Sequence, residues 1–107
     1  MMRTVLALAL VAICAPAVAA SGDAEVGRKK STPCVVCHGA NGVSPSPEFP
    51  NLAGQYADYL ETVLTHYQNG KRKNPIMQAQ VKDLTRNDIL ELAAFFAAQR
   101  NGLQVKY

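Results

Sequence analysis

Two cysteines and a histidine stand close together in residues 34–38, which read Cys-Val-Val-Cys-His. On a helical turn, side chains three and four positions apart share one face. Cys34 and Cys37 can therefore both reach one edge of a porphyrin and form thioether bonds, while His38 directs its imidazole at the iron. The C-x-x-C-H spacing is the signature of covalent haem attachment. We predict one haem c, held by two covalent bonds and one iron ligand.

Two other chemistries use cysteines at this spacing. A disulfide or thiol redox site would need a βαβ context, and the sequence shows no strand pattern around Cys34 and Cys37. A zinc site would find only three ligands here, with His66 as a distant fourth and none of the usual paired spacing. Haem attachment is therefore the favoured interpretation.

The first twenty residues have the features of an export signal. A charged start at Met1-Met2-Arg3 precedes an apolar run, and Ala17-Val18-Ala19 forms a small-residue cleavage site. The apolar run is too short to span a bilayer comfortably, and Pro16 breaks it. We predict that residues 1–20 are cleaved, that residues 21–107 form one domain, and that this domain has no stable membrane insertion.

Cleavage changes the cysteine count and the charge. It removes Cys14, which leaves Cys34 and Cys37 in an oxidising compartment. It also removes Arg3, so ten Lys and Arg oppose eight Asp and Glu, and the formal charge falls from +3 to +2. Two haem propionates would bring this charge near zero, which argues against a nucleic-acid partner.

A domain of under ~90 residues has only a small hydrophobic core of its own, and a large apolar cofactor would enlarge that core.

Two side chains compete for the second axial position on the iron. In residues 21–107 the only methionine is Met77, and the only histidine besides His38 is His66. His66 stands beside an apolar helical stripe, where a half-exposed polar residue is typical. Met77 follows Pro75 in a predicted loop that can aim a thioether across the cofactor, although methionine also serves as core filler. We favour Met77 as the second axial ligand.

A His/Met pair raises the reduction potential of the iron and leaves no open coordination site on it. These properties predict an electron carrier and no enzyme.

Helical periodicity and turn residues predict an all-α fold with long loops, because no period-two alternation extends over a useful length. The first helix runs to Lys30 with Asp23 as N-cap, and a second covers residues 55–69 before Gly70. The last begins at a Thr85/Asp88 capping box and ends near residues 100–102. The predicted loops are residues 39–54 and 71–84.

These pieces together resemble the class I c-type cytochromes, in particular the short bacterial monohaem type and single halves of bacterial dihaem cytochromes. The resemblance covers about residues 22–100. It is carried by Gly22-Asp23-Ala24-Glu25-Val26-Gly27, Cys34-Val35-Val36-Cys37-His38-Gly39, Pro50-Asn51-Leu52-Ala53-Gly54-Gln55, Tyr59-Leu60, Gly70-Lys71-Arg72 and Met77. It implies crossing N- and C-terminal helices, one or more middle helices, and long loops that enclose a haem.

The resemblance also implies roles for individual residues. Gly27 is expected to let the first helix cross the last one near Leu92 and Phe95. The Pro50 carbonyl is expected to accept a hydrogen bond from the second ring nitrogen of His38. Leu52 is expected in the haem-pocket wall, as are Tyr59, Leu64 and Ile76, and Arg72 near a haem propionate.

The function that the resemblance implies is that of a monomeric periplasmic electron carrier, which passes single electrons between redox partner proteins. Two alternatives stay open: a haem subunit of a larger oxidoreductase, and a haem-based sensor or ligand-binding protein. Two basic runs, residues 28–30 and 71–73, are candidates for steering an acidic partner toward the haem edge.

Overall fold

The computed structural model describes residues 12–15 and 22–100 of the chain, and the description below concerns these residues. Most of the predicted export signal and the end of the last predicted helix, residues 101–102, lie outside them. The described part is all-helical and holds no strand, which confirms the predicted fold class. Its five α-helices are α1 (Ala24–Lys30), α2 (Thr32–His38), α3 (Ala57–Gln68), α4 (Pro75–Val81) and α5 (Arg86–Ala97). Within these described ranges, no helix has the length and apolar character needed to cross a membrane.

The first and last helices cross at Gly27, as expected. A Cβ added at Gly27 would lie 2.9 Å from the Cβ of Phe95 and would overlap the backbone of Glu91. Only a residue without a side chain allows this approach. The predicted N-cap is also present, because the Asp23 side chain accepts hydrogen bonds from the backbone N–H groups of Glu25 and Val26.

Helix α5 is the central element of the core. Its residues Leu92, Ala93, Phe95 and Phe96 are buried and pack with Leu60 of α3. The helix begins at the predicted capping box, in which Thr85 and Asp88 exchange side-chain and backbone hydrogen bonds. The α1 and α3 helices both pack on α5.

The segment 71–84 corrects the sequence prediction, since it contains helix α4 where a loop was expected. The Asn74 side chain accepts hydrogen bonds from the backbone N–H groups of Ile76 and Met77, and Pro75 occupies the first turn. A proline needs no intrahelical partner there, so Asn74-Pro75 starts a helix instead of excluding one. Met77 is therefore held on a helix.

The other predicted loop and the middle helix agree with the structure. Residues 39–54 are irregular apart from a short 3₁₀ turn at Ala40–Gly42. Helix α3 lies within the predicted residues 55–69, and Gly70 follows it with φ of 78°, the left-handed conformation expected after a helix C-terminus.

Candidate functional site

Helix α2 presents the three side chains of the C-x-x-C-H motif to one cavity. The cavity has a volume of about 350 Å³, within the range of small-molecule and cofactor sites, and Cys34, Cys37 and His38 all line it. Its wall is largely apolar and includes Leu52, Tyr59, Leu60, Leu64, Ile76 and Phe96. The four wall residues expected from the sequence are thus all present.

The two cysteines are free, partly buried thiols. Burial raises the pKa of the Cys34 thiol above its ordinary value. Thiols that act in redox exchange have the opposite property, a lowered pKa that favours the thiolate. The surroundings of Cys34 therefore do not favour a thiol redox site.

The imidazole of His38 is buried, with 6% of the residue exposed, and one of its nitrogens has a fixed partner. Its Nδ1 lies 2.8 Å from the carbonyl oxygen of Pro50. Because a carbonyl only accepts, Nδ1 carries the proton, and Nε2 keeps the lone pair that can bind a metal. The ring of Phe49 stands edge-on to the imidazole at 6.3 Å between centroids. Phe49 was not expected from the sequence, although it immediately precedes Pro50.

Helix α4 brings Met77 to the same cavity. Met77 is partly buried and lines the cavity from a helix other than the one that carries the motif. His66, its competitor in the sequence, lies on α3 and is not among the residues that line the cavity. The structure therefore brings one of the two candidate ligands into the site.

Arg72 also reaches the cavity wall and is held there by Tyr67. Its Nε donates a hydrogen bond of 2.9 Å to the Tyr67 hydroxyl, and its guanidinium lies 5.3 Å from the centre of the Tyr67 ring. This hydrogen bond raises the pKa of Arg72 above its ordinary value. The side chain is exposed, and sequence reasoning did not identify Tyr67 as its partner.

The residues present fit a haem. Two thiols and a metal-binding nitrogen project from one helix turn into an apolar cavity that a thioether also enters. Thioether and imidazole are ligands that iron in haem accepts. Among residues 12–15 and 22–100, no group of three or more His, Cys, Asp or Glu side chains is arranged to hold a metal ion. The donor set thus suits a porphyrin's iron better than zinc.

Comparison with known proteins identifies the family. The model of the family described as cytochrome c oxidase, cbb3-type, subunit III matches residues 22–96. Cytochrome c-554(548) of Halomonas halodenitrificans is 39% identical over 82 residues, which cover 74% of this chain and 99% of that protein. The chain belongs to the class I c-type cytochromes. Cytochrome c4 of Pseudomonas aeruginosa is 42% identical to the cytochrome domain over 81 residues, covering 76% of this chain and 40% of that protein.

Solved structures agree with this assignment. Reduced recombinant cytochrome c4 from Pseudomonas stutzeri matches with a TM-score of 0.71 and 37% identity over 75% of this chain and 47% of that one. The thiosulfate dehydrogenase of Marichromatium purpuratum matches with a TM-score of 0.70 and 33% identity, covering 79% of this chain and 20% of that one. The chain spans about half the length, or less, of the cytochrome c4 relatives. As a c-type cytochrome with one attachment motif, the domain carries one covalent haem c.

Proposed function

We propose that this cytochrome is a periplasmic carrier of single electrons, with haem c attached to Cys34 and Cys37 and with His38 and Met77 as axial iron ligands. The observation that carries the proposal is the shared cavity. Met77 lines it together with the whole C-x-x-C-H triplet, whereas His66 does not. The bound haem supplies a one-electron Fe(III)/Fe(II) couple.

Different residues of the chain have different roles in haem binding. Cys34 and Cys37 fix the position of the macrocycle, and His38 offers Nε2 in an orientation set by the Pro50 carbonyl. Leu52 and its apolar neighbours exclude water from the cavity, which disfavours the extra charge of the ferric state. Arg72, which donates a hydrogen bond to the Tyr67 hydroxyl at the cavity wall, would bind a propionate.

The Met77 thioether has two consequences for function. A soft sulfur ligand stabilises ferrous iron and raises the reduction potential. It also fills the sixth coordination position, so small gases and peroxide have no open site. Both effects favour electron transfer over catalysis or ligand sensing.

Replacement of the sixth ligand tests the proposal. Met77→Ala is expected to remove the native low-spin spectrum and to lower the reduction potential substantially within the roughly 0.8 V range that axial ligands set. His66→Ala, on α3 outside the cavity lining, is the control and should leave both unchanged. Visible spectra and a redox titration of the three proteins provide the comparison. A native spectrum and potential in Met77→Ala would exclude Met77 as ligand.

The periplasmic location rests on the export signal predicted in residues 1–20. Cleavage after Ala19 or Ala20 gives a mature protein that begins near Ser21. Mass spectrometry of the haem protein from a periplasmic extract should find the mass of this shortened chain plus one haem. The mass of the full chain in a membrane fraction would contradict the assignment.

A second candidate function is that of a haem subunit in a larger oxidoreductase. The similarity to the thiosulfate dehydrogenase of Marichromatium purpuratum favours it, and that match covers 79% of this chain. The two functions differ in assembly, because a subunit elutes with its enzyme whereas a carrier elutes alone. Size-exclusion chromatography of the native protein from its own periplasm distinguishes them.

A further inference from the structure

Helix α4 of this cytochrome carries Met77 but has little buried surface of its own. It has seven residues, and Val81 is the one that is fully buried. An isolated helix this short is unstable in water, so α4 depends on contacts with the rest of the fold. Helix α3 is its main packing partner. The position of Met77 therefore depends on how α4 is attached to α3.

The side chain of Gln68, the last residue of α3, provides such an attachment. Its Nε2 donates hydrogen bonds of 2.8 Å to the carbonyl oxygen of Val81 and of 2.7 Å to that of Leu84. Because both neighbours are acceptors, the amide nitrogen and not the amide oxygen faces them. Val81 ends α4, where the carbonyl groups have no partners within the helix. One side chain of α3 thus caps the end of α4 and the turn after it.

The other end of α4 is capped in a different way. The Asn74 side chain accepts hydrogen bonds from the backbone N–H groups of Ile76 and Met77, but Asn74 directly precedes the helix and moves with it. Within residues 22–100, no side chain of another helix besides Gln68 donates a hydrogen bond to α4 or to the turn that follows it. The two bonds from Gln68 span 13 and 16 residues, and Met77 lies inside the segment that they close.

The spacing within α4 relates Gln68 to the iron site. Val81 follows Met77 by four residues, which is about one turn and ~6 Å along the helix axis. Because one turn of helix moves as a unit, Met77 leaves the cavity only if the Val81 end separates from Gln68 or if the helix unwinds. Gln68 is exposed and does not line the cavity. It can therefore act on the iron site through α4, and not by contact with the haem.

We propose that Gln68 is a positioning residue, which holds Met77 on the iron by attaching α4 to α3. The proposal rests on the proposed ligation of the iron by Met77 and adds the residue that makes this ligand hard to displace. When imidazole displaces Met77, the bond between iron and sulfur breaks, a bond between iron and nitrogen forms, and the oxidation state of the iron does not change. Hydrogen bonds present only in the closed position of α4 make this exchange less favourable.

Titration of the ferric protein with imidazole measures this exchange. The control for Gln68→Ala is Gln99→Ala, because Gln99 Nε2 also donates a hydrogen bond of 2.8 Å to a backbone carbonyl, but to that of Phe95 in α5. Gln68→Ala should bind imidazole roughly fivefold to tenfold more tightly than the native protein, the effect of losing two partly exposed hydrogen bonds. Its absorption band for charge transfer from the thioether to ferric iron should weaken. Gln99→Ala should match the native protein in both measurements.

Two further measurements separate positioning from a general loss of stability. Gln68→Lys keeps hydrogen-bond donors on a chain of similar length, so it should restore the native affinity for imidazole. Urea unfolding of all variants gives their stabilities. A Gln68→Ala protein that is less stable but binds imidazole with native affinity would show a purely structural role and overturn the proposal. Equally tight binding by Gln99→Ala would also overturn it.

The Met77→Ala background distinguishes this proposal from the proposed function. Imidazole then enters an open position and displaces no ligand, so adding Gln68→Ala should not increase its affinity further. An equal increase in both backgrounds would show that Gln68 acts on the cavity itself, and the positioning role would be wrong while the ligation by Met77 stands. A native protein that binds imidazole as tightly as Met77→Ala and lacks the charge-transfer band would contradict Met77 as ligand, and the role of Gln68 with it.

Discussion

At the scale of single residues, His38 shows how the loop after the motif completes the site. The imidazole is buried, and the carbonyl oxygen of Pro50, twelve residues along the chain, accepts a hydrogen bond from its Nδ1–H, with 2.8 Å between Nδ1 and the oxygen. A hydrogen bond of this kind fixes the ring and increases the donor strength of the other nitrogen. The acceptor is the backbone carbonyl of residue 50, so the hydrogen bond itself does not require the proline ring.

The variant Pro50→Ala distinguishes the role of the backbone carbonyl of residue 50 from the role of the pyrrolidine ring. Alanine keeps the carbonyl, so the spectrum and potential of the haem should stay close to native. The variant should lose about 0.4–1 kcal/mol of stability, because the unfolded chain gains freedom when proline is removed. Pro47→Ala in the same loop is the control and should show a comparable loss. If the haem spectrum changes in Pro50→Ala but not in Pro47→Ala, the pyrrolidine ring of Pro50 also helps to position His38.

At the scale of elements, the crossing of α1 and α5 depends on the absence of a side chain at Gly27. In most helices, replacing glycine by alanine stabilises the protein, by up to about 1 kcal/mol. Here the added methyl group would meet the backbone of Glu91 and the Cβ of Phe95. Crowding of this kind opposes the helix preference and displaces α1 from the core.

Gly27→Ala should therefore lower the free energy of unfolding by about 1–3 kcal/mol, the usual range for overpacking. Urea unfolding followed by circular dichroism and haem absorbance measures the change. Gly70→Ala is a useful control, because its added Cβ has no atom within 4 Å, while its φ of 78° costs about 1 kcal/mol for a residue with a side chain. A Gly27→Ala protein as stable as the native one would contradict the close crossing.

The same two helices are joined by an ion-pair network. The hydrogen bond from Lys30, followed by the hydrogen bonds from Thr85, lowers the pKa of Asp88 from 3.8 to about 2. Because the pKa of Asp88 is lower in the folded state, its ionised carboxylate stabilises the fold above pH 3.8. This stabilisation is lost as the pH falls through about 2. Lys30 has a raised pKa from the same contacts and stays charged throughout this range.

Asp88→Asn should unfold at a lower urea concentration than the native protein near pH 6. The difference should shrink between pH 4 and pH 2, because the native carboxylate becomes protonated there. Asp83→Asn, an exposed position outside the four ion pairs of residues 22–100, should show little change at any pH. A deficit in Asp88→Asn that is as large at pH 2 as at pH 6 would assign the effect to capping alone.

Helix α4 is the helix that the sequence patterns did not predict. Residues 71–84 have a basic run, an Asn-Pro pair and little periodicity, and these features predict a loop. The structure uses Asn74 as the cap and Pro75 as the first turn of a seven-residue helix. The longer helices were predictable because their apolar stripes extend over more turns, as in α3 and α5. A helix of two turns carries too short a periodic pattern for that, and α1, which has the same length, was predicted from its Asp23 cap instead.

At the scale of the whole molecule, the described residues surround the haem cavity, and their charges are unevenly distributed. The motif, Pro50 and Met77 could be located from the sequence. The motif is a local spacing, Met77 is the only methionine in residues 21–107, and Pro50 follows from the family resemblance. The ion pairing could not, since Lys30 meets Asp88 from 58 residues away. Only the folded chain shows that residues 28–30 are mostly compensated and residues 71–73 are not.

A redox titration of the native protein, followed by its visible spectrum with and without carbon monoxide, tests whether the protein is an electron carrier whose sixth iron ligand is Met77. We expect a single reversible one-electron transition at positive potential. We also expect low-spin spectra in both oxidation states and no change when carbon monoxide is added to the reduced form, because Met77 fills the sixth position. A high-spin reduced form that binds carbon monoxide, or a protein without a reversible couple, would contradict the electron-carrier function.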